Sequence, residues 1–152
     1  MDCPEVRAGN TIYLPVNVPG AYLFFGDAHL VMGDGEIIGY GVEAAVNVEL
    51  KVDLIKGRKI GWPRIENDEY LMTLGMYRPL EDAFRIATKD MVLWIAEDYG
   101  LDMMDSYQLV SQVMQAEVSQ MVDPNYTILV KFPKKYLPEK KPVFGGVHDK
   151  LK

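Results

Sequence analysis

The stretch YLMTLGMYRPLEDAFRIATKDMVLWIAEDYG, residues 70–100, decides the fold. Its apolar opening, 70–76, reads as a strand that closes at Gly75. Arg78-Pro79 then opens a long helix, with proline in the first turn, where a missing N–H costs nothing. Leu80, Ala83, Phe84, Ala87, Met91, Trp94 and Ile95 recur at steps of three and four. They form one apolar stripe over about four turns. Glu81 and Asp82 sit at the positive end of the helix dipole, and Gly100 ends the helix. A strand feeding directly into an amphipathic helix predicts helix packed on sheet.

Downstream, Asp105 or Ser106 caps a second helix running to about Gln115, with Tyr107, Val110, Val113 and Met114 facing inward. Residues 127–132 read as a closing strand. Upstream, 43–54 alternates almost strictly. Ala44, Val46, Val48, Leu50, Val52 and Leu54 fall on one side, and Glu43, Asn47, Glu49, Lys51 and Asp53 on the other. That pattern predicts a half-buried antiparallel strand. Residues 11–18 are β-rich and closed by Pro19-Gly20, with Pro15 demoting them to an edge or bulged strand. Residues 21–25 form a second apolar run, and 60–65 another short strand after the Lys56-Gly57-Arg58 turn. The expected fold is α+β: antiparallel, sandwich-like sheets with two helices packed on one face. Residues 1–137 form one domain, and 138–152, rich in Lys, Pro and Gly, form a loose tail.

The chain has 152 residues, 49% hydrophobic and 25% charged, which is the mix of an ordinary globular domain. A net charge of -6 argues against a nucleic-acid surface. No apolar run reaches the roughly 20 residues that cross a bilayer, and the first residues lack a secretory signal's basic and apolar parts. Cys3 is the single cysteine, so no internal disulfide forms and a cytoplasmic setting is expected.

Chemistry concentrates in Gly26-Asp-Ala-His-Leu-Val-Met-Gly-Asp-Gly-Glu36, which holds three carboxylates and one of two histidines. On extended backbone Asp27 and His29 share a face. Gly33 and Gly35 offer the positive φ that a reversal requires. With Gly33-Asp34 as a two-residue turn, Glu36 becomes the diagonal neighbour of His29, about 7–8 Å away. With Asp34-Gly35 as the turn, the two lie roughly 13 Å apart. A wider loop is the third case. A carboxylate–imidazole–carboxylate group holds a borderline divalent ion, or supplies a general base toward water. Ser106, Ser111 and Ser119 lack a glycine elbow, and Cys3 lies on a polar terminus. Glu43 reads equally as a solvated strand residue. Glu66-Asn-Asp-Glu69 reads as a solvated loop, and His148, in the tail, as irrelevant to chemistry. Gly33-x-Gly35 and Gly39-x-Gly41 open no helix and so match no dinucleotide loop.

These same residues resemble the acetamidase/formamidase family. The resemblance is carried by Thr11-Ile-Tyr-Leu-Pro-Val-Asn-Val-Pro-Gly-Ala21, then Gly26-Asp-Ala-His29 and Gly33-Asp-Gly-Glu36. Val42-Glu43, Trp62-Pro-Arg64, Asp105-Ser-Tyr-Gln-Leu-Val-Ser111 and Val122-Asp-Pro124 support it, so that it spans nearly all of 8–137. It implies hydrolysis of short amides to carboxylate and ammonia, with Asp27, His29, Asp34 and Glu36 as the polar centre. Two departures are Leu30-Val-Met32, where members have a small residue and then Gln, and the β-rich upstream half that members carry.

The resulting expectations are specific. Asp27, His29 and Glu36 hold a divalent metal, zinc first and calcium as the alternative. Glu36 and Asp34 are catalytic, Glu36 moving the proton between water and leaving ammonia. The partner is a small amide, with no nucleic acid and no membrane. A homo-oligomer, a dimer, covers the sheet face that the family's other half otherwise covers. The competing readings are an incomplete module that needs that half, and a small-molecule-binding domain without turnover.

Overall fold

The computed structural model describes residues 2–138 and 143–151. Its elements are β1 (Thr11–Tyr13), β2 (Arg64–Glu66), β3 (Tyr70–Tyr77), α1 (Leu80–Tyr99), α2 (Met103–Val113), β4 (Gln115–Gln120), β5 (Tyr126–Pro133) and α3 (Val147–Leu151). The strands form one antiparallel sheet in the order β1-β2-β3-β5-β4. Its centre is the eight-residue ladder of β3 on β5, from Tyr70 opposite Pro133 to Tyr77 opposite Tyr126. The fold is α+β, with α1 and α2 on one face as the apolar stripe predicts.

Both faces of the central strands are covered, which explains why β3 and β5 read as continuous apolar runs. Leu71, Ile128, Val130 and Phe132 pack with Ala83, Ala87, Met91, Trp94, Ile95 and Val110 from the helices. Met72, Leu74 and Leu129 point the other way, onto Ile65 and Cys3. Burying a side chain such as Phe132 or Leu71 contributes about 1.5–3 kcal/mol.

Helix α1 begins and ends as expected: Pro79 precedes it, and Gly100, at φ 65°, closes it with its N–H on the Ala96 carbonyl. Phe84 alone leaves the expected stripe, standing at its solvent rim. The helix lies so close to β3 that a Cβ on Gly75 would come 1.9 Å from the Ala83 carbonyl oxygen and 2.8 Å from the Ala87 nitrogen. Two residues earlier on the same face stands Thr73, whose hydroxyl donates to the Ala87 carbonyl at 2.8 Å. Because the obstacle is backbone, Gly75→Ala is expected to cost about 3 kcal/mol, the upper end for overpacking. A urea titration reads this as a lower midpoint at unchanged slope; an unchanged midpoint would refute the close approach.

Elsewhere the structure corrects the sequence reading. Helix α2 starts at Met103, capped by Asp102, whose carboxylate accepts the Met104 N–H at 2.8 Å, rather than by Asp105 or Ser106. Ser106 is buried and Tyr107 faces solvent. Strand β4 carries no strand signal in the sequence, because Gln115-Ala-Glu-Val-Ser-Gln120 is polar, as suits an edge. The strand expected over 11–18 stops at Tyr13, two residues before Pro15, and that over 60–65 reduces to Arg64–Glu66. The alternating segment 43–54 joins no sheet: its apolar side, Val46 to Leu54, is about as exposed as its polar side. Residues 21–25 are likewise outside the sheet, with Phe24 84% exposed. A strand needs a neighbour for its N–H and C=O groups, and β1 offers an edge only three residues long.

The tail is also corrected where it is described. Val143 and Val147 are buried, and the Phe144 ring lies 4.5 Å from Tyr13 and 5.6 Å from Trp94. His148 is buried, its Nδ1 2.8 Å from the Thr11 hydroxyl and its Nε2 3.3 Å from an Asp68 oxygen. These apolar residues, diluted among Lys, Pro and Gly, anchor 143–151 to β1 and α1. The rest of the expected loose segment, 139–142 and 152, lies outside the described residues.

Candidate functional site

The acidic, histidine-bearing stretch forms a wide loop closed by a short antiparallel pairing. The Leu30 N–H donates to the Val42 carbonyl at 2.8 Å, the Val42 N–H to Val31 at 2.8 Å, and the Ala44 N–H to Ala28 at 3.0 Å. His29 therefore pairs with Glu43, not with Ile38 as a two-residue turn at Gly33-Asp34 requires. Residues 32–41 become the loop, and neither tight-turn register holds.

This pairing brings three donors to one point. His29 Nε2 lies 2.9 Å from a Glu43 oxygen and 3.3 Å from an Asp27 oxygen. Asp27 reaches it from a left-handed backbone, φ 60°, that short acidic side chains tolerate better than most. The imidazole is nearly buried while both carboxylates are half exposed. Nε2 itself is buried and, despite the two nearby oxygens, has no hydrogen bond of acceptable direction among the described residues. The ring rests against Gly41, where a Cβ would come 2.7 Å from Nδ1 and 3.0 Å from Cγ. One ligand atom from each of Asp27, His29 and Glu43 lies within 4.8 Å of the others. An orphaned imidazole nitrogen facing two carboxylates fits a borderline divalent ion of the zinc type, with room left for water.

Glu36 belongs to a neighbouring group. Asp34–Glu36 is a 3-10 turn, with Gly35 at φ 81° and Glu36 at φ 47°. The Met121 N–H, at the end of β4, donates to the Gly35 carbonyl at 3.0 Å and ties the turn to the sheet. Glu36 is thereby turned inward and only 7% exposed, with a carboxylate oxygen within 4.8 Å of ligand atoms of Asp2 and Asp123. Burial pushes its carboxyl above the ordinary range, the negative Asp2 pushes it further, and His29 pulls it back. Asp34 is exposed, on the rim of a cavity of about 450 Å³ walled by Val31, Met32, Ile37, Ile38 and Tyr40.

Of the four residues singled out from the sequence, two, Asp27 and His29, come together. Glu36 stands beside them with other partners, and Asp34 lies at the rim. Glu43 was seen but assigned no ligand role; its place depends on the register of 28–31 against 42–44, which loop width sets. Asp2 carried no signal at all, and Asp123 only that of its Val-Asp-Pro phrase.

The family model for the acetamidase/formamidase family matches residues 1–137. An acetamidase from Mycolicibacterium smegmatis is 44% identical over 57 residues, 37% of this chain and 14% of that protein. The crystal structure of an acetamidase from Yersinia enterocolitica superposes with a TM-score of 0.89 at 47% identity, covering 91% of this chain and 42% of that one. An acetamidase from Bacillus halodurans superposes with a TM-score of 0.78 at 35% identity, covering 91% and 48%. The chain thus spans less than half the length of the solved relatives it matches. With its motif stretch, sheet and helices all matched, the chain belongs to the acetamidase/formamidase family.

Proposed function

We propose that this chain carries the reacting groups of a hydrolase that cleaves short linear amides, of the formamide and acetamide kind, to carboxylate and ammonia. The observation that supports this most is the convergence of Asp27, His29 and Glu43 around an imidazole nitrogen without a hydrogen bond. These three residues would hold a divalent metal, zinc by the mixed nitrogen and oxygen donors. Bound there, such an ion lowers the pKa of a water from 15.7 to about 7.

The chain's own groups do the rest. Glu36 takes a proton from water as the water oxygen bonds to the amide carbon. It returns that proton to the amide nitrogen as the C–N bond breaks and ammonia leaves. A carboxyl whose proton affinity is raised by burial is suited to the return step. Asp34, on the solvent side of the same turn, accepts an amide N–H at the cavity mouth. The apolar walls, Val31, Met32 and Ile37 among them, take the short acyl group.

A second reading, an incomplete module, is favoured by one observation. Most of the exposed large apolar side chains lie in 14–54, among them Tyr22, Phe24, Phe25, Val52 and Leu54. Monomers in water rarely leave so much contiguous apolar surface uncovered. A second copy, or the further length that the relatives carry, would cover it.

Ammonia release from formamide and acetamide, measured on the full chain with and without zinc, tests both readings. Zinc-dependent release is expected. Zinc binding without ammonia supports the incomplete module, and neither binding nor release overturns the proposal. Static light scattering on the same sample is expected to give a dimer or larger, and a strict monomer would count against self-association.

A further inference from the structure

We propose that Gly41 is the positioning residue of the Asp27–His29–Glu43 group, because the His29 imidazole occupies the space that a side chain at 41 would fill. A Cβ on Gly41 would come 2.7 Å from His29 Nδ1, 3.0 Å from its Cγ and 2.7 Å from the Val31 carbonyl oxygen. Non-bonded carbon contacts settle at about 3.5–4.0 Å, so no side chain enters there without moving the ring or the backbone.

Backbone freedom does not account for this glycine. Gly35 and Gly39, at φ 81° and 85°, turn the loop in the left-handed region, whereas Gly41 is not among the glycines of positive φ. Gly33 sits at φ −87° with open space where a Cβ would go. Of these four, Gly41 alone meets a side chain of the metal group. What the position requires is room.

The room decides where the donors stand. The Val31 carbonyl that a Cβ would strike is the one that accepts the Val42 N–H at 2.8 Å. A side chain at 41 therefore acts in one of two ways. It turns the ring, and carries Nε2 off the Glu43 and Asp27 oxygens now 2.9 and 3.3 Å away. Or it opens the Val31–Val42 pairing, and carries Glu43, one residue further on, away from His29. Either movement spreads a donor set whose bonds to zinc tolerate only about 0.2 Å. Gly41 also lines the cavity that Asp34 rims, so the ring is seated where the cavity and the metal group adjoin.

Because this role rests on the proposed metal group, the test has one arm with zinc and one without. Calorimetric titration of the full chain with zinc compares wild type, Gly41→Ala and Gly33→Ala. Gly41→Ala is expected to weaken zinc by about 10–100-fold, as losing an orienting contact outside the ligands does, and Gly33→Ala to match wild type. Without metal, NMR reads the ring directly, since the chain has only two imidazoles, His29 and His148. Gly41→Ala is expected to shift the ring C–H signals of His29, identified by their loss in His29→Ala, and to leave those of His148 in place. No residue of 26–44 belongs to either core cluster, so circular dichroism is expected to show an intact fold. Should Gly41→Ala not fold, the double variant His29→Ala, Gly41→Ala decides: recovery of the fold supports the seat, and continued loss overturns it. Zinc affinity unchanged by Gly41→Ala would overturn the proposal, as would unmoved His29 signals. If wild type takes up no zinc, the metal reading falls, and the NMR arm alone still decides whether Gly41 seats the ring.

Discussion

Glu43→Gln is expected to remove zinc binding and amide hydrolysis together while leaving the fold intact. The Glu43 oxygen stands 2.9 Å from His29 Nε2 on a half-exposed side chain, so glutamine keeps the shape and loses the charge that an ion requires. Replacing a partner one layer outside a metal's ligands already costs 10–100-fold in affinity, so losing a ligand is expected to cost more than about 100-fold. Thermal unfolding of the apo chain should move by no more than a degree or two, because no core contact changes. Glu36→Gln makes the opposite pattern: zinc stays and hydrolysis falls by about 10²–10⁴-fold, the usual contribution of a positioned acid or base. If instead Glu36→Gln lost zinc and Glu43→Gln kept it, the ion would belong to Asp27, His29 and Glu36, the set read from the sequence. Measuring zinc affinity and ammonia release on both variants separates a ligand from a proton carrier.

That contrast marks where the sequence stops informing. Asp27 and His29 were legible as a pair because two-residue spacing on extended backbone puts side chains on one face, whatever the rest of the chain does. Glu43 was not, because its partner is chosen by how wide the loop 32–41 is. The Met121 N–H on Gly35, a contact 86 residues away in the chain, helps fix that width. The same division runs through the fold. Residues 70–100 announced themselves through proline, stripe and terminal glycine, all local signals, and 127–132 through an apolar run that reads as a closing strand. Segment 43–54 carries the strongest alternation in the chain, yet alternation records which side is meant to be buried, not whether anything lies there to bury it. Its valines and leucines stand exposed because no strand pairs with that segment among the described residues. Strand β4 fails for the converse reason: an edge strand of glutamine, glutamate and serine gains its place from β5, not from its own pattern.

Asp90→Ala is expected to be the most destabilising single change, at about 3–5 kcal/mol. Arg64 on β2 and Asp90 on α1 are almost fully buried and joined by two parallel hydrogen bonds, Nε to Oδ2 at 2.9 Å and NH2 to Oδ1 at 2.8 Å. The guanidinium lies 4.9 Å over the Trp94 ring, and its remaining nitrogen, Nη1, is buried with no hydrogen-bond partner among the described residues. Removing the carboxylate leaves a full positive charge inside the helix–sheet interface, where arginine cannot shed its proton. Against a typical domain stability of about 5–15 kcal/mol, that loss takes roughly a fifth or more. It corresponds to a fall of roughly 6–20 °C in Tm at the 2–4 °C per kcal/mol of a chain this size. The cost lies in the orphaned charge rather than in the lost attraction, and a second variant distinguishes the two. Arg64→Met combined with Asp90→Leu removes both charges and fills similar volume, so it is expected to recover most of the loss, as buried pairs replaced by apolar residues generally do. Urea midpoints for the single and double variants decide the matter. A double variant as unstable as Asp90→Ala would mean that the ion pair holds β2 to α1 by its own attraction, and that packing on Trp94 is secondary.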